Sequence, residues 1–130
     1  MKNIIVSLVV FTLTLTACGS DDGSPPAIAS LTYSPMTVPR AQQSTVTGSI
    51  TFTDKDGDAA QLGIDVTLPD ATSQELPLTD LQNVGEMTSG TIAFSVILTP
   101  PLAGAYQFEL FIVDDSDNES NRLMGTLTAQ

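Results

Sequence analysis

Histidine and tryptophan are missing from this chain, and cysteine occurs once, at Cys18. Without histidine or a spare thiol, the usual nucleophile–base dyads and triads have no members. A single cysteine cannot close a disulfide within the chain, so stability has to come from a packed core. Basic residues are scarce: four Lys and Arg stand against 15 Asp and Glu, a formal net charge of −11. Phosphate backbones demand Lys and Arg, which argues against nucleic acid as a partner. An acidic surface also does not dock directly on anionic lipid. Aromatic residues are only 5% of the chain, too few to line the sugar-holding cleft that a carboxylate-pair glycosidase needs. The expectation is a protein that is not an enzyme.

What is present begins at the first residues. Lys2 supplies one positive charge, and Ile4 to Leu15 is an apolar run without charge. As a helix this run would reach roughly 18 Å, against about 30 Å of hydrocarbon in a bilayer. It reads as a short export signal rather than a transmembrane segment. Leu15-Thr16-Ala17-Cys18 closes the run with small Ala17 ahead of the cysteine. These four residues resemble a bacterial lipoprotein lipobox. The alternatives are an uncleaved anchor, a buried helix, or a general signal peptide whose cut happens to precede Cys18.

The lipobox resemblance implies cleavage before Cys18, acylation of Cys18 and membrane attachment through that lipid. One acyl chain anchors only marginally, at about 0.8 kcal/mol per buried methylene, but lipoproteins carry two or three. Gly19 stands where an aspartate would favour inner-membrane retention, so the expected place is the outer membrane or the cell surface. The expected division is therefore residues 1–17 removed, 18–26 lipidated cysteine and linker, and 27–130 one domain. Without Lys2, three basic residues face 15 acidic ones, a formal balance of −12. Gly19 to Pro26, rich in Gly, Ser, Asp and Pro, has nothing to bury and is expected to be extended or disordered, reaching at most roughly 28 Å.

From Ala27 onward the apolar residues recur every second position. Val46, Gly48, Ile50 and Phe52 alternate with threonines and Ser49. Leu62, Ile64, Val66 and Leu68 form a second set, Ile92, Phe94, Val96 and Leu98 a third, and Tyr106, Phe108, Leu110 and Ile112 a fourth. Such alternation buries one face of a strand. Ser34-Pro35, Asp56-Gly57-Asp58, Pro69-Asp70, Pro100-Pro101 and Asp117-Asn118 supply turn chemistry between them. Ile28–Tyr33 and Glu75–Leu78 add two weaker strands, and Leu123 to Leu127 ends the series. About seven strands in roughly 100 residues predict an all-β, two-sheet antiparallel sandwich with Greek-key connections.

Gly48 to Asp58 and Gly104 to Ser120 resemble the second strand, and the sixth strand with its following loop, of bacterial immunoglobulin-like and cadherin-like domains. The resemblance implies an Ig-like sandwich in which Tyr106 forms a tyrosine corner, its hydroxyl tied to nearby backbone. The cysteine pair and core tryptophan of antibody domains are absent, so the resemblance carries a fold and not a function.

That topology puts the loops after the second, fourth and sixth strands at one end. Asp54, Asp56 and Asp58 lie in the first of these, and Asp114, Asp115, Asp117 and Glu119 in the last. Asp80 and Glu86 are placed to approach from the middle one. Like charges 4 Å apart repel by about 1 kcal/mol in water and about 4 kcal/mol at an effective dielectric of 20. Calcium takes six to eight oxygens and would remove that repulsion. Asp54, Asp56, Asp58, Asp114, Asp115 and Asp117 are thus the candidate calcium ligands. The spacing is not that of an EF-hand, because Gly57 comes too early. The competing readings are a solvated acidic tip whose Asp, Asn and Gly residues make turns, and a basic partner. The linker would emerge at the same end, so the tip would face the membrane, with divalent ions bridging to anionic headgroups. Co-sedimentation of the lipid-free domain with anionic liposomes, with and without calcium, tests that orientation, and an absence of calcium dependence removes it.

On the other face, Phe111, Val113 and Met124 are expected to point outward together as a small apolar partner-binding patch. Two functional classes follow. One is a membrane-anchored binding or structural module that contacts an envelope protein or glycan. The other is an accessory or inhibitory subunit of a larger envelope complex.

Overall fold

Strands are the only regular elements among the described residues of the computed structural model, which are 6–14 and 23–130. They run β1 (Val6–Thr14), β2 (Ala27–Ser34), β3 (Thr37–Val38), β4 (Ser44–Thr53) and β5 (Ala59–Thr67). These are followed by β6 (Ser73–Glu75), β7 (Thr79–Asp80), β8 (Ser89–Leu98), β9 (Gly104–Asp114) and β10 (Leu123–Ala129). One sheet has the order β1-β8-β4-β2 and the other β3-β10-β9-β5-β6, with β7 also paired to β5. All pairings are antiparallel except β3 with β10. The two sheets face each other across a shared core, as the period-two pattern requires. The expected all-β Ig-like sandwich is the observed fold.

The inward sets are those the alternation picks out. Ile50, Phe52, Leu62, Ile64, Ile92, Phe94, Leu110 and Ile112 form the main cluster, and Val46, Leu68, Leu98, Tyr106 and Leu127 belong to a second one. Each fully buried Leu, Ile or Phe contributes about 1.5–3 kcal/mol. Three glycines admit aromatic rings close against the sheets, two on the core side and one, Gly63, on the outer face. Gly48, Gly63 and Gly125 each sit directly opposite a phenylalanine on the neighbouring strand: Phe94, Phe111 and Phe108 respectively. Each ring occupies the place where a Cβ would be.

The strand count differs from about seven. Residues 27–130 form nine strands, because the chain re-pairs in the second sheet as β3, and the Glu75–Leu78 region divides into β6 and β7. Pro77 cannot donate to a ladder, which interrupts the pairing there; Leu76 still donates its N–H to Ile64 O at 3.0 Å. The apolar run at the start of the chain is seen over Val6–Thr14, laid antiparallel along β8 in a nine-residue register. Lys2, Cys18, Gly19 and the rest of the lipobox lie outside the described residues.

Tyr106 behaves as a tyrosine corner should. Its hydroxyl donates to Leu102 O at 2.8 Å and accepts from Leu102 N at 2.9 Å. Tyr106→Phe keeps the ring and orphans both backbone groups, so chemical denaturation should show a loss of about 1–2 kcal/mol. A change below a few tenths would mean that the corner is ornamental.

Candidate functional site

The acidic end of the sandwich is built by two matching turns. Asp54 directly follows β4 and is 1% exposed; its carboxylate accepts from Asp56 N at 3.2 Å and Asp58 N at 3.0 Å. Asp114 ends β9 and is 2% exposed; one carboxylate oxygen accepts from Ser116 N at 2.9 Å and Asn118 N at 2.8 Å. Both aspartates satisfy backbone donors two and four residues ahead, the Asx chemistry that makes these residues good turn formers. The loops are then joined directly: Asp115 N donates to Asp58 O at 3.0 Å. The loop before β8 closes the end, with Asp54 N bonded to Thr88 O and Glu86 N to Gly57 O.

This arrangement divides the six expected calcium ligands. Asp54, Asp56 and Asp58 do converge, with one carboxylate oxygen from each lying within 4.8 Å of the others. The Asp56 and Asp58 Oδ1 atoms are buried and accept no hydrogen bond. The Asp58 carboxyl is pushed up to about 6, first by burial and then by the charges of Asp54 and Asp114. Asp114 therefore belongs to the same electrostatic cluster. Asp115 and Asp117 do not join it; both are exposed. The reason is local: Asp117 takes a left-handed φ of 63° and donates its N–H to Asp114 O, which completes the turn. Asp80 pairs with Gln61 Nε2 at 2.9 Å, and exposed Glu86 meets the cluster only through its backbone.

Residues 23–26 reach this same end. Ser24 N donates to the Asp56 carboxylate at 2.6 Å, and Asn118 Nδ2 donates to Gly23 O at 3.0 Å. Asn118 Nδ2 also bonds Asp114 at 3.0 Å, and Pro26 is buried. Residues 23–26 are thus fastened to the tip rather than free, because the unfilled acceptors of Asp56 and the Asn118 amide supply polar partners that composition does not reveal. A second amide, Asn121, grips β2 by accepting from Ile28 N at 2.8 Å and donating to Ile28 O at 2.9 Å. The sequence pattern does not mark Asn118 and Asn121 as ties to Gly23 and Ile28; their position after the last acidic turn is the available signal.

The apolar patch is not assembled. Phe111 is 7% exposed and Val113 8%, while Met124 is 63% exposed. Phe111 does face away from the inter-sheet core, but its ring folds across Gly63 and the Arg122 guanidinium covers it at 4.2 Å. Arg122 is held there by Asp65, Glu109 and Glu119, and its pKa is raised, chiefly by the hydrogen bond to Asp65. Met124 pairs with Glu109 rather than with Phe111, since β10 begins only at Leu123. A cation–π stack inside a ring of carboxylates thus replaces the expected docking surface.

Compared with known proteins, the sequence matches no family profile and no curated relative. Solved structures do resemble it. The SrpA adhesin of Streptococcus sanguinis superposes with a TM-score of 0.51 at 16% identity, over 85% of this chain and 60% of that one. The likeness shows the fold, a β-sandwich. The chain spans 60% of the adhesin's length. The CARDB domain of a Pyrococcus furiosus protein, solved in complex with di-metal ions, gives 0.46 at 12% identity, over 91% of this chain and 95% of that one. A conjugative transposon lipoprotein from Bacteroides eggerthii gives 0.44 at 17%, over 81% and 98%.

Proposed function

We propose that this protein is a lipid-anchored module of the bacterial envelope, attached through Cys18 and most at home on the outer membrane or cell surface. Its single Ig-like domain is a non-catalytic binding or structural unit for an envelope protein or glycan, and calcium stabilises its acidic end. The observation that supports the calcium is the pair of buried Oδ1 atoms on Asp56 and Asp58 that no donor reaches. Buried carboxylate oxygens without partners cost free energy that a hard cation would recover. Asp54 and Asp114 would act by fixing the loops, and Asp56 and Asp58 by direct coordination. Because Ser24 is tied to Asp56, an ion here would also brace the point where the tether enters the domain.

Calorimetric titration of the purified protein with calcium tests this. The expected result is one site in the range of about 10⁻⁴ to 10⁻³ M typical of extracellular modules, weakened at least tenfold in Asp56→Asn and Asp58→Asn. No binding heat at several millimolar calcium in the wild-type protein overturns the ion site and leaves the acidic tip as turn chemistry alone.

A further inference from the structure

Among the described residues the sheets end on β2, β3, β6 and β7 and, beneath β1, on β8, and the first four of these are blunted against further pairing. In the second sheet, β3 has two residues, β6 three and β7 two. In the first, the β2 edge is broken by a register shift between Ala29 and Thr32, with Ser30 at a φ of 58°. Short strands and irregularities are the ordinary protection of exposed edges. The β8 edge has none of these. Its ten residues, Ser-Gly-Thr-Ile-Ala-Phe-Ser-Val-Ile-Leu, contain no charge and no proline, and pair without interruption on both sides. What covers it is β1, itself nine residues without a charge.

β1 belongs to the stretch that the lipoprotein reading removes. We propose that β8 is a strand-acceptor edge: in the processed protein it takes an extended, uncharged segment of another polypeptide with large apolar residues at alternate positions. The inference rests on that lipoprotein reading. β1 shows what the edge accepts. Val6, Leu8, Val10 and Thr12 stand opposite Leu98, Val96, Phe94 and Ile92, all on the inward set of β8. Leu8 packs against the main core. Beside Val96 lies an apolar cavity of about 60 Å³, also lined by Phe94, Val66, Leu76 and Phe108. The core is therefore underfilled next to Val96, the residue that stands opposite Leu8. Backbone pairing supplies affinity in such strand addition, and pockets for alternate side chains supply specificity. A second copy of the domain is the poorer occupant, since each carries a formal balance of −12 after loss of Lys2 and side-by-side sheets would bring those charges together.

The full chain, expressed in a bacterial host and purified from membranes in detergent, permits the test. Intact mass first reports whether residues 1–17 are gone. A fluorescent peptide with the sequence of residues 6–14, flanked by lysines, is then titrated, with a scrambled peptide controlling for uptake by detergent. The expected result is saturable one-to-one binding, at least tenfold slower amide exchange along β8, and at least tenfold weaker binding of the Leu8→Asp peptide. A processed protein that binds the scrambled peptide equally well, or neither peptide, overturns the acceptor edge while leaving the anchor intact. A processed protein that is already dimeric, with β8 amides protected, also overturns it and makes a second copy the occupant. A mass that retains residues 1–17 overturns the lipoprotein reading instead, and with it this inference, since β1 would then be permanent.

Discussion

Gly48→Ala should be among the most damaging single substitutions in the domain. A Cβ at this position would lie 2.3 Å from Thr32 O and 2.5 Å from the Phe94 ring. The ring could turn aside, but Thr32 O is backbone, and it belongs to the stretch of β2 that already carries a register shift against β4. The sheet must open or the strand must slide, and sliding by one residue would exchange the faces of β4. Overpacking of this kind costs typically 1–3 kcal/mol, and with backbone as the obstacle we expect about 3 kcal/mol by chemical denaturation. Gly85→Ala provides the comparison, because nothing lies within 4 Å of the place its methyl would take, and it should stay within about 0.5 kcal/mol of the wild type. Equal effects at the two sites would show that the Gly48–Phe94 pair is not a close approach in solution. Gly63, beneath Phe111, should be intermediate: the ring tip is the obstacle, but the Arg122 stack above it resists displacement.

How much of this can be read in advance depends on distance along the chain. The inward faces of β4 and β8 are plain, because Ile50, Phe52, Ile92 and Phe94 alternate with polar or small residues, and a strand with one buried face has no other choice. The bond of the Tyr106 hydroxyl, four residues back, is legible only through the resemblance to Ig-like domains. The convergence of Asp54, Asp56 and Asp58 is legible directly, because they share one turn. Which carboxylates of the second loop join them is not, since that depends on the left-handed turn at Asp117. Phe111 shows the limit most clearly. Its parity places it off the core correctly, yet its cover comes from Gly63 on one strand and Arg122 beyond another. A glycine within an apolar strand signals close approach of something, but only cross-strand register says that it is Phe111. The pairing of Val6–Thr14 with β8 lies wholly beyond pattern reading, because an uncharged run fits an export signal and an edge strand equally well.

The other large effect is the dependence of stability on pH, which Asp58 should dominate at the acidic end. Its carboxyl titrates at about 6 in the folded protein, against 3.8 when unperturbed. The folded state therefore binds more protons than the unfolded state between those values, and stability falls as pH rises through the window. The associated stabilisation is fully present below about pH 4 and gone above about pH 6. Undiscounted, the shift corresponds to about 3 kcal/mol; with part of Asp58 open to solvent, screening leaves about 1–2 kcal/mol. In chelator, the wild-type protein should lose that amount between pH 4 and 7, relative to Asp58→Asn, which has no proton to release there. Calcium should reverse the trend, because it binds the ionised form. At a hundred times its dissociation constant, it should add about 2.7 kcal/mol near neutral pH, with the gain fading towards pH 4 as protons displace it. Parallel profiles for wild type and Asp58→Asn in chelator would show that Asp58 ionises without strain. A calcium gain that persisted at pH 4 would place the ion away from Asp58, and the unpartnered oxygens of Asp56 and Asp58 would need another explanation.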